Sequence, residues 1–287
     1  MGVKIITDSA CDLTRDFLAS LDVDVVPILV YLDGEEYLDG LTLKPEDMLR
    51  QMREGKVFKT SQIPPNIFKE KFLELAQLGK PCIYIAFSSG LSGTYNSALI
   101  AREEVLEEYP DFQLEIIDTK CASVGFGLVV YKAALMAKEG KSYEEIIKSI
   151  KFNAQHMEHI FTVDDLEYLY RGGRVSKTAA FVGGVLNVKP ILHVKDGKLI
   201  PIDKVRGRQK AMKRMIEIVK ERGVDLQNQL IGINHGDDLE GANKLKAMLE
   251  VEFGCKDFLV SCIGCAVGAH SGPGTLSVFF LNKLEEN

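Results

Sequence analysis

Residues 81–98 read PCIYIAFSSGLSGTYNSA, and this stretch decides the fold. The apolar run 81–87 is too short for a buried helix and predicts a buried strand. Gly90 and Gly93 then break the chain, and residues 91–108 predict a helix. Between the two lie Ser88, Ser89, Ser92 and Thr94. One Ser–Gly pair would be a plain helix cap. Four hydroxyls and two glycines in seven residues make a cradle, with side-chain donors beside the free N–H groups of a helix start. An anion held there gains ~0.3–2 kcal/mol from the helix dipole.

The same strand–loop–helix grammar extends outward from this stretch. The apolar run 3–6 ends at Thr7-Asp8-Ser9 and leads to a segment with Phe17, Leu18 and Leu21. A second run, 23–32, ends at Asp33-Gly34. Residues 65–78 place Ile67, Phe68, Phe72, Leu75 and Ala76 at helical spacing, and Gly79 stops them. A strand over 112–117 and helices over 124–139 and beyond Ser142 follow, the last with Ser142 and Glu145 in capping-box spacing. Such alternation predicts a mostly parallel sheet with right-handed crossovers. Beyond it, runs 190–194 and 199–205 flank Lys195-Asp196-Gly197 as a hairpin. Helices over 208–221 and 239–252 and strands over 229–234, 258–262 and 277–281 complete the pattern. The expected architecture is α/β in two α/β domains: 1–155 with a mostly parallel sheet, and 156–287 with a mixed or antiparallel one.

Composition narrows the function. The chain has 287 residues, 46% hydrophobic and 26% charged, so it can bury a large core without disulfides. Its formal net charge of -6 argues against nucleic acid as the main partner, which needs a basic face. No apolar run approaches the ~20 residues of a membrane helix, so no stable membrane insertion is expected. The start, MGVKIITDSACDL, carries no signal-peptide or myristoylation pattern, and a cytoplasmic protein with reduced thiols is expected. P-loop, dinucleotide and nucleophile-elbow motifs are missing, and neither cofactor nor metal is expected. Cys262 and Cys265 form a CxxC, but within a strand-like run their side chains diverge, which disfavours a redox or zinc role.

Other loops share the hydroxyl character of 88–94. Thr60-Ser61-Gln62 precedes Ile63-Pro64-Pro65, prolines that suit a first helical turn. Thr7-Asp8-Ser9 ends the first strand, where open α/β sheets place ligands. Three such loops before helices of one sheet predict a common site. In the second half, Arg171-Gly172-Gly173-Arg174 sets two arginines around a turn. His270 lies in the glycine-rich run 264–275, GCAVGAHSGPGT.

In order, Thr7-Asp8-Ser9, Thr60-Ser61-Gln62, SSGLSGTYNSA, the loop 171–176 and His270-Ser271-Gly272-Pro273-Gly274 resemble the DegV family over nearly the whole chain. The sequence departs from that pattern at Cys262-Ile263-Gly264-Cys265 and by one extra residue before Pro64. The resemblance implies a fatty-acid-binding protein that carries a long acyl chain such as palmitate in a tunnel of the first domain. It also implies a separate ATP-dependent fatty acid kinase subunit as partner. On that basis Ser61, with Thr60 beside it, and Ser92 hydrogen-bond the carboxylate, with Ser89 a second position in the same loop. His270 closes the polar end from the second domain, and Arg171 and Arg174 lie near the mouth where the kinase docks. The competing reading is an enzyme of a small phosphorylated or carboxylated metabolite, using the loops as an oxyanion site and His270 as general base. A third is an interaction module with no buried ligand.

Overall fold

The computed structural model describes residues 2–176 and 187–285. β1 (Lys4–Asp8) leads through a 3-10 turn, Ser9–Cys11, to α1 (Arg15–Ser20), β2 (Val23–Val26), β3 (Leu29–Leu32) and β4 (Glu35–Leu38). Then come α2 (Pro45–Arg53), β5 (Lys59–Ser61), α3 (Pro65–Gln77), β6 (Cys82–Ala86), α4 (Thr94–Glu108) and β7 (Leu114–Asp118). Helices α5 (Ser123–Lys138) and α6 (Tyr143–His156) precede β8 (Met157–Thr162), α7 (Glu167–Arg171), β9 (Val188–Lys195) and β10 (Lys198–Arg206). The chain continues through α8 (Arg208–Arg222), β11 (Leu230–His235), α9 (Leu239–Phe253), β12 (Asp257–Cys262), α10 (Cys265–Ser271) and β13 (Leu276–Leu281).

The first sheet has the order β2-β1-β6-β7, with every pairing parallel. β6 is buried along its whole length, as a strand covered on both faces must be, which is why its sequence is continuously apolar rather than alternating. The second sheet has the order β10-β9-β8-β13-β11-β12 and is mixed: β11 and β12 run parallel and the other neighbours antiparallel. Helix α5 joins the sheets. Most of its side chains are buried, and it packs on β1 of the first sheet and on β8, β11 and β13 of the second. Its amino end therefore points to the seam between them.

Two features depart from the sequence expectations. The run 23–32 is two strands in different sheets. Pro27 has no N–H to offer a ladder, and the N–H of Ile28 donates to Ser9 Oγ at 3.0 Å. β3 consequently turns away and forms a small antiparallel sheet, β4-β3-β5. The second departure is at the CxxC. β12 stops at Cys262 and Cys265 begins α10, so the pair does not lie within one strand. Burial raises the Cys262 thiol to about 11 and the Cys265 thiol further, so neither is a ready thiolate. Helix α10 packs into the amino-terminal half, where Ile263, Cys265 and Ala269 share a core with Met48 and Leu49 of α2 and Val30 of β3.

Candidate functional site

A cavity lies where the carboxyl ends of β6 and β7, the short strand β5, helix α10 and the second sheet meet. Its walls surround about 990 Å³ of empty space, including the opening to solvent. Phe87, Leu91 and Ala122 line it from the first half, and Phe161, Val194 and Phe279 from the second. The resemblance implied a tunnel within the first domain. The cavity is instead lined from both halves.

Polar groups gather at one end. Thr60 Oγ1 and His270 Nε2 lie 2.6 Å apart, joining β5 to the last turn of α10. Ser61, exposed on the next residue, and Gln62 border the same end. Ser92 Oγ is 2.9 Å from Thr94 Oγ1 and accepts the Thr94 N–H, and Thr94 Oγ1 in turn accepts the N–H of Ile63 at 3.3 Å. The two hydroxyl loops are thus bonded to each other. Gln62 Nε2 also donates to Ser97 Oγ at 3.0 Å, and a Cβ at Gly93 would collide with the Gln62 side chain. Gly93, with ordinary helical dihedrals, is needed for that close approach rather than for the turn.

The loop after α7 closes this end. Arg174 lines the cavity and donates from Nε and Nη2 to the Leu91 carbonyl at 3.1 and 3.0 Å, with Nη1 donating to the Gly172 carbonyl. Gly172 lies flush against His270, where any Cβ would strike the imidazole Nδ1. Its glycine serves contact, not flexibility. Burial, with the positive charge of Arg174, pushes His270 down to about 3, so the ring is neutral at neutral pH. It can exchange hydrogen bonds there, but it is too weak a base for general-base work near neutrality.

Other predicted residues lie elsewhere. Ser89 does not line the cavity. Its hydroxyl accepts from Lys120 Nζ at 2.6 Å and its N–H donates to Asp118 Oδ1, because consecutive residues leaving β6 point to opposite sides. Ser88, buried, donates to the Gly197 carbonyl at 2.8 Å. Arg171 is also outside the lining: it stacks on Tyr168 at 5.0 Å and approaches Glu167 at 3.9 Å. Thr7, Asp8 and Ser9 put no side chain on the cavity either; the Thr7 hydroxyl donates to the Ile85 carbonyl within the sheet.

Several lining residues carry no signal in the sequence. Ser123, in the left-handed region at φ 56, donates to Asp12 Oδ2 at 2.5 Å and receives Asn234 Nδ2 at 2.8 Å. His159 accepts the Ala122 N–H at Nε2, so its Nδ1 carries the proton facing the Met157 carbonyl at 3.1 Å. Burial holds it down at about 4. Among the described residues, no group of three or more His, Cys, Asp or Glu side chains could hold a metal. Nor is any described helix long and apolar enough to cross a membrane.

Two large sheets clasping a mostly apolar cavity, with hydroxyls and a histidine gathered at one end, define an α/β protein with a cavity at the seam between its sheets. The family follows from comparison: the model described as "Uncharacterised protein, DegV family" matches residues 2–283, and the chain belongs to that family. A DegV domain-containing protein of Clostridium perfringens is 44% identical over 285 residues, covering 98% of each chain. A DegV family protein from Thermus thermophilus, described by its fatty acid binding, superposes with a TM-score of 0.88 at 30% identity, covering 97% of this chain and 99% of that one. A stearic acid-binding protein from Eubacterium ventriosum matches with a TM-score of 0.88 at 29% identity, covering 96% and 97%.

Proposed function

We propose that this protein binds a long-chain fatty acid and performs no chemistry on it. The acyl chain lies along the apolar walls, and the carboxylate sits among Thr60, Ser61, Ser92 and His270. The observation that carries this reading is a cluster of hydroxyls and a histidine opening on a cavity whose walls are mostly apolar. The fatty acid binding described for the Thermus relative supports it. A sixteen-carbon chain has about fourteen methylenes, and burying them at ~0.8 kcal/mol each gives roughly 11 kcal/mol before the costs of association. The head group therefore need only be oriented. Neutral hydroxyls do this without burying a permanent opposing charge.

A carrier with so light a grip on the carboxylate suits presentation to a separate ATP-dependent kinase. In this reading the mouth near Arg174, with Arg171 outside it, faces that partner, and the chain divides near residue 155 into a lipid-binding half and a covering half. The enzymatic alternative would need His270 as its general base, a role that burial and the nearby Arg174, pushing the ring down to about 3, disfavour. Mass spectrometry of the denatured protein, with titration of palmitate and oleate into delipidated protein, tests the proposal. Co-purified fatty acid or saturable binding is expected; finding neither sinks it.

A further inference from the structure

The Thr7-Asp8-Ser9 corner touches no part of the cavity surface, yet its bonds run to three of the cavity's walls. Asp8, fully buried, accepts the Phe87 N–H at 2.9 Å and the Tyr84 hydroxyl at 2.8 Å on Oδ2, and the Ala10 N–H at 3.2 Å on Oδ1. Phe87 is the cavity residue from which the hydroxyl loop departs. Ser9 Oγ accepts the N–H of Ile28, a second wall, at 3.0 Å and donates to Asp39 Oδ2 at 2.8 Å. Asp39, 2% exposed, spends its other oxygen on the start of α10, accepting the N–H of Cys265 at 2.8 Å, and it is also bonded by the N–H of Ala266. That helix supplies Ala266, Val267 and His270 to the third wall.

A carboxylate on the first N–H groups of a helix fixes where its axis begins and adds favourable charge–dipole energy. On a helix of seven residues, the start determines where the last turn lies. His270 is in that last turn, within 2.6 Å of Thr60, so a small swing of α10 would separate them. Gly264 leaves little slack: a Cβ there would fall 2.5 Å from Asp12 Oδ1.

We infer that Ser9 and Asp39 are positioning residues of the lipid site, joining the end of the first strand to α10 so that His270 meets Thr60 at the carboxylate end. The inference rests on the lipid-binding reading for its ligand arm, but its structural arm needs no ligand. Ser9→Ala and Asp39→Asn are compared with the parent in the full chain. In delipidated protein, both substitutions are expected to shift the His270 imidazole resonances while leaving those of His159 in place. With palmitate as probe, Asp39→Asn should weaken binding about tenfold, and Ser9→Ala less, while methyl palmitate, which lacks the carboxylate, changes less than about twofold. In a His270→Ala background, Asp39→Asn should add no further loss. Unmoved His270 resonances in both variants, equal losses on the two probes, or additive losses would overturn the inference. A parent protein that binds neither probe sinks the lipid reading alone, and the resonances still decide the positioning role.

Discussion

His270 lies at the polar end of the cavity as a neutral ring, and its titration gives a test. It sits at about 3 and His159 at about 4, against an ordinary 6.5, so the unfolded chain takes up protons first as pH falls. The stability these rings contribute is complete above about pH 6.5 and is lost as pH drops toward their folded values. Asp8 works the other way: raised by burial to about 6 from 3.8, it favours the fold below its unfolded value and loses that contribution as pH rises through 6. A His270→Gln variant is therefore expected to melt with a flatter pH dependence than the parent between 6.5 and 4. Parallel melting curves would show that the ring is not held neutral. Thr60→Val removes the hydroxyl at nearly constant shape and should weaken fatty acid binding by roughly 1 kcal/mol, about fivefold, in a calorimetric titration. The cavity-lining places of Thr60 and Ser92 agree with the density of hydroxyls and glycines in their loops, where a single hydroxyl would read as a plain cap. Ser89 was misjudged because the side a loop residue faces depends on a partner, here Lys120, distant in sequence. Asp39 was illegible: a lone aspartate in a turn says nothing of the helix it caps 226 residues later.

At the scale of elements, legibility followed length and period. The parallel strands and long helices announce themselves through apolar runs and 3.6-residue spacing, and the Ser142–Glu145 box forms as its spacing requires. Ser142→Ala should cost ~1 kcal/mol of stability in denaturant titration while leaving palmitate affinity unchanged, because α6 begins away from the cavity. What stayed hidden was short: the three-residue β5, the seven-residue α10 and the five-residue α7, each too brief to show a period and each held by tertiary contacts. These are the elements that carry Thr60, His270 and Arg171. The β9–β10 hairpin was legible, but its destination was not. Its tip reaches Ser88 and Gly90, and a Cβ at Gly90 would lie 2.5 Å from the Gly197 carbonyl. Gly90→Ala should therefore destabilise the fold by ~1–3 kcal/mol, read as an earlier denaturation midpoint at unchanged slope. An unchanged midpoint would mean that the tip is free to move aside.

For the whole molecule, the cavity's place between the halves means that a fatty acid bound as proposed would be part of what holds them together. Its walls come from β5, the loop after β6 and the start of α5 on one side and from β8, β9 and β13 on the other, with α10 crossing from the end of the chain to pack on α2. A ligand that binds this closed arrangement and not the unfolded chain stabilises it by mass action, ~2.7 kcal/mol at a hundredfold excess over Kd. Because the contacts are shared, that stabilisation cannot stay on one side. Hydrogen exchange with and without palmitate should show slower exchange both in the 88–94 loop and at the hairpin tip, 194–199, to a comparable degree. Protection confined to the first half would place the acyl chain within one domain, as the family resemblance implied, and would reduce the second sheet to a scaffold for His270. Protection of both makes lipid occupancy and domain contact one equilibrium. Release of the acyl chain then requires the halves to loosen, and a partner that loosens them would draw the lipid out without touching it.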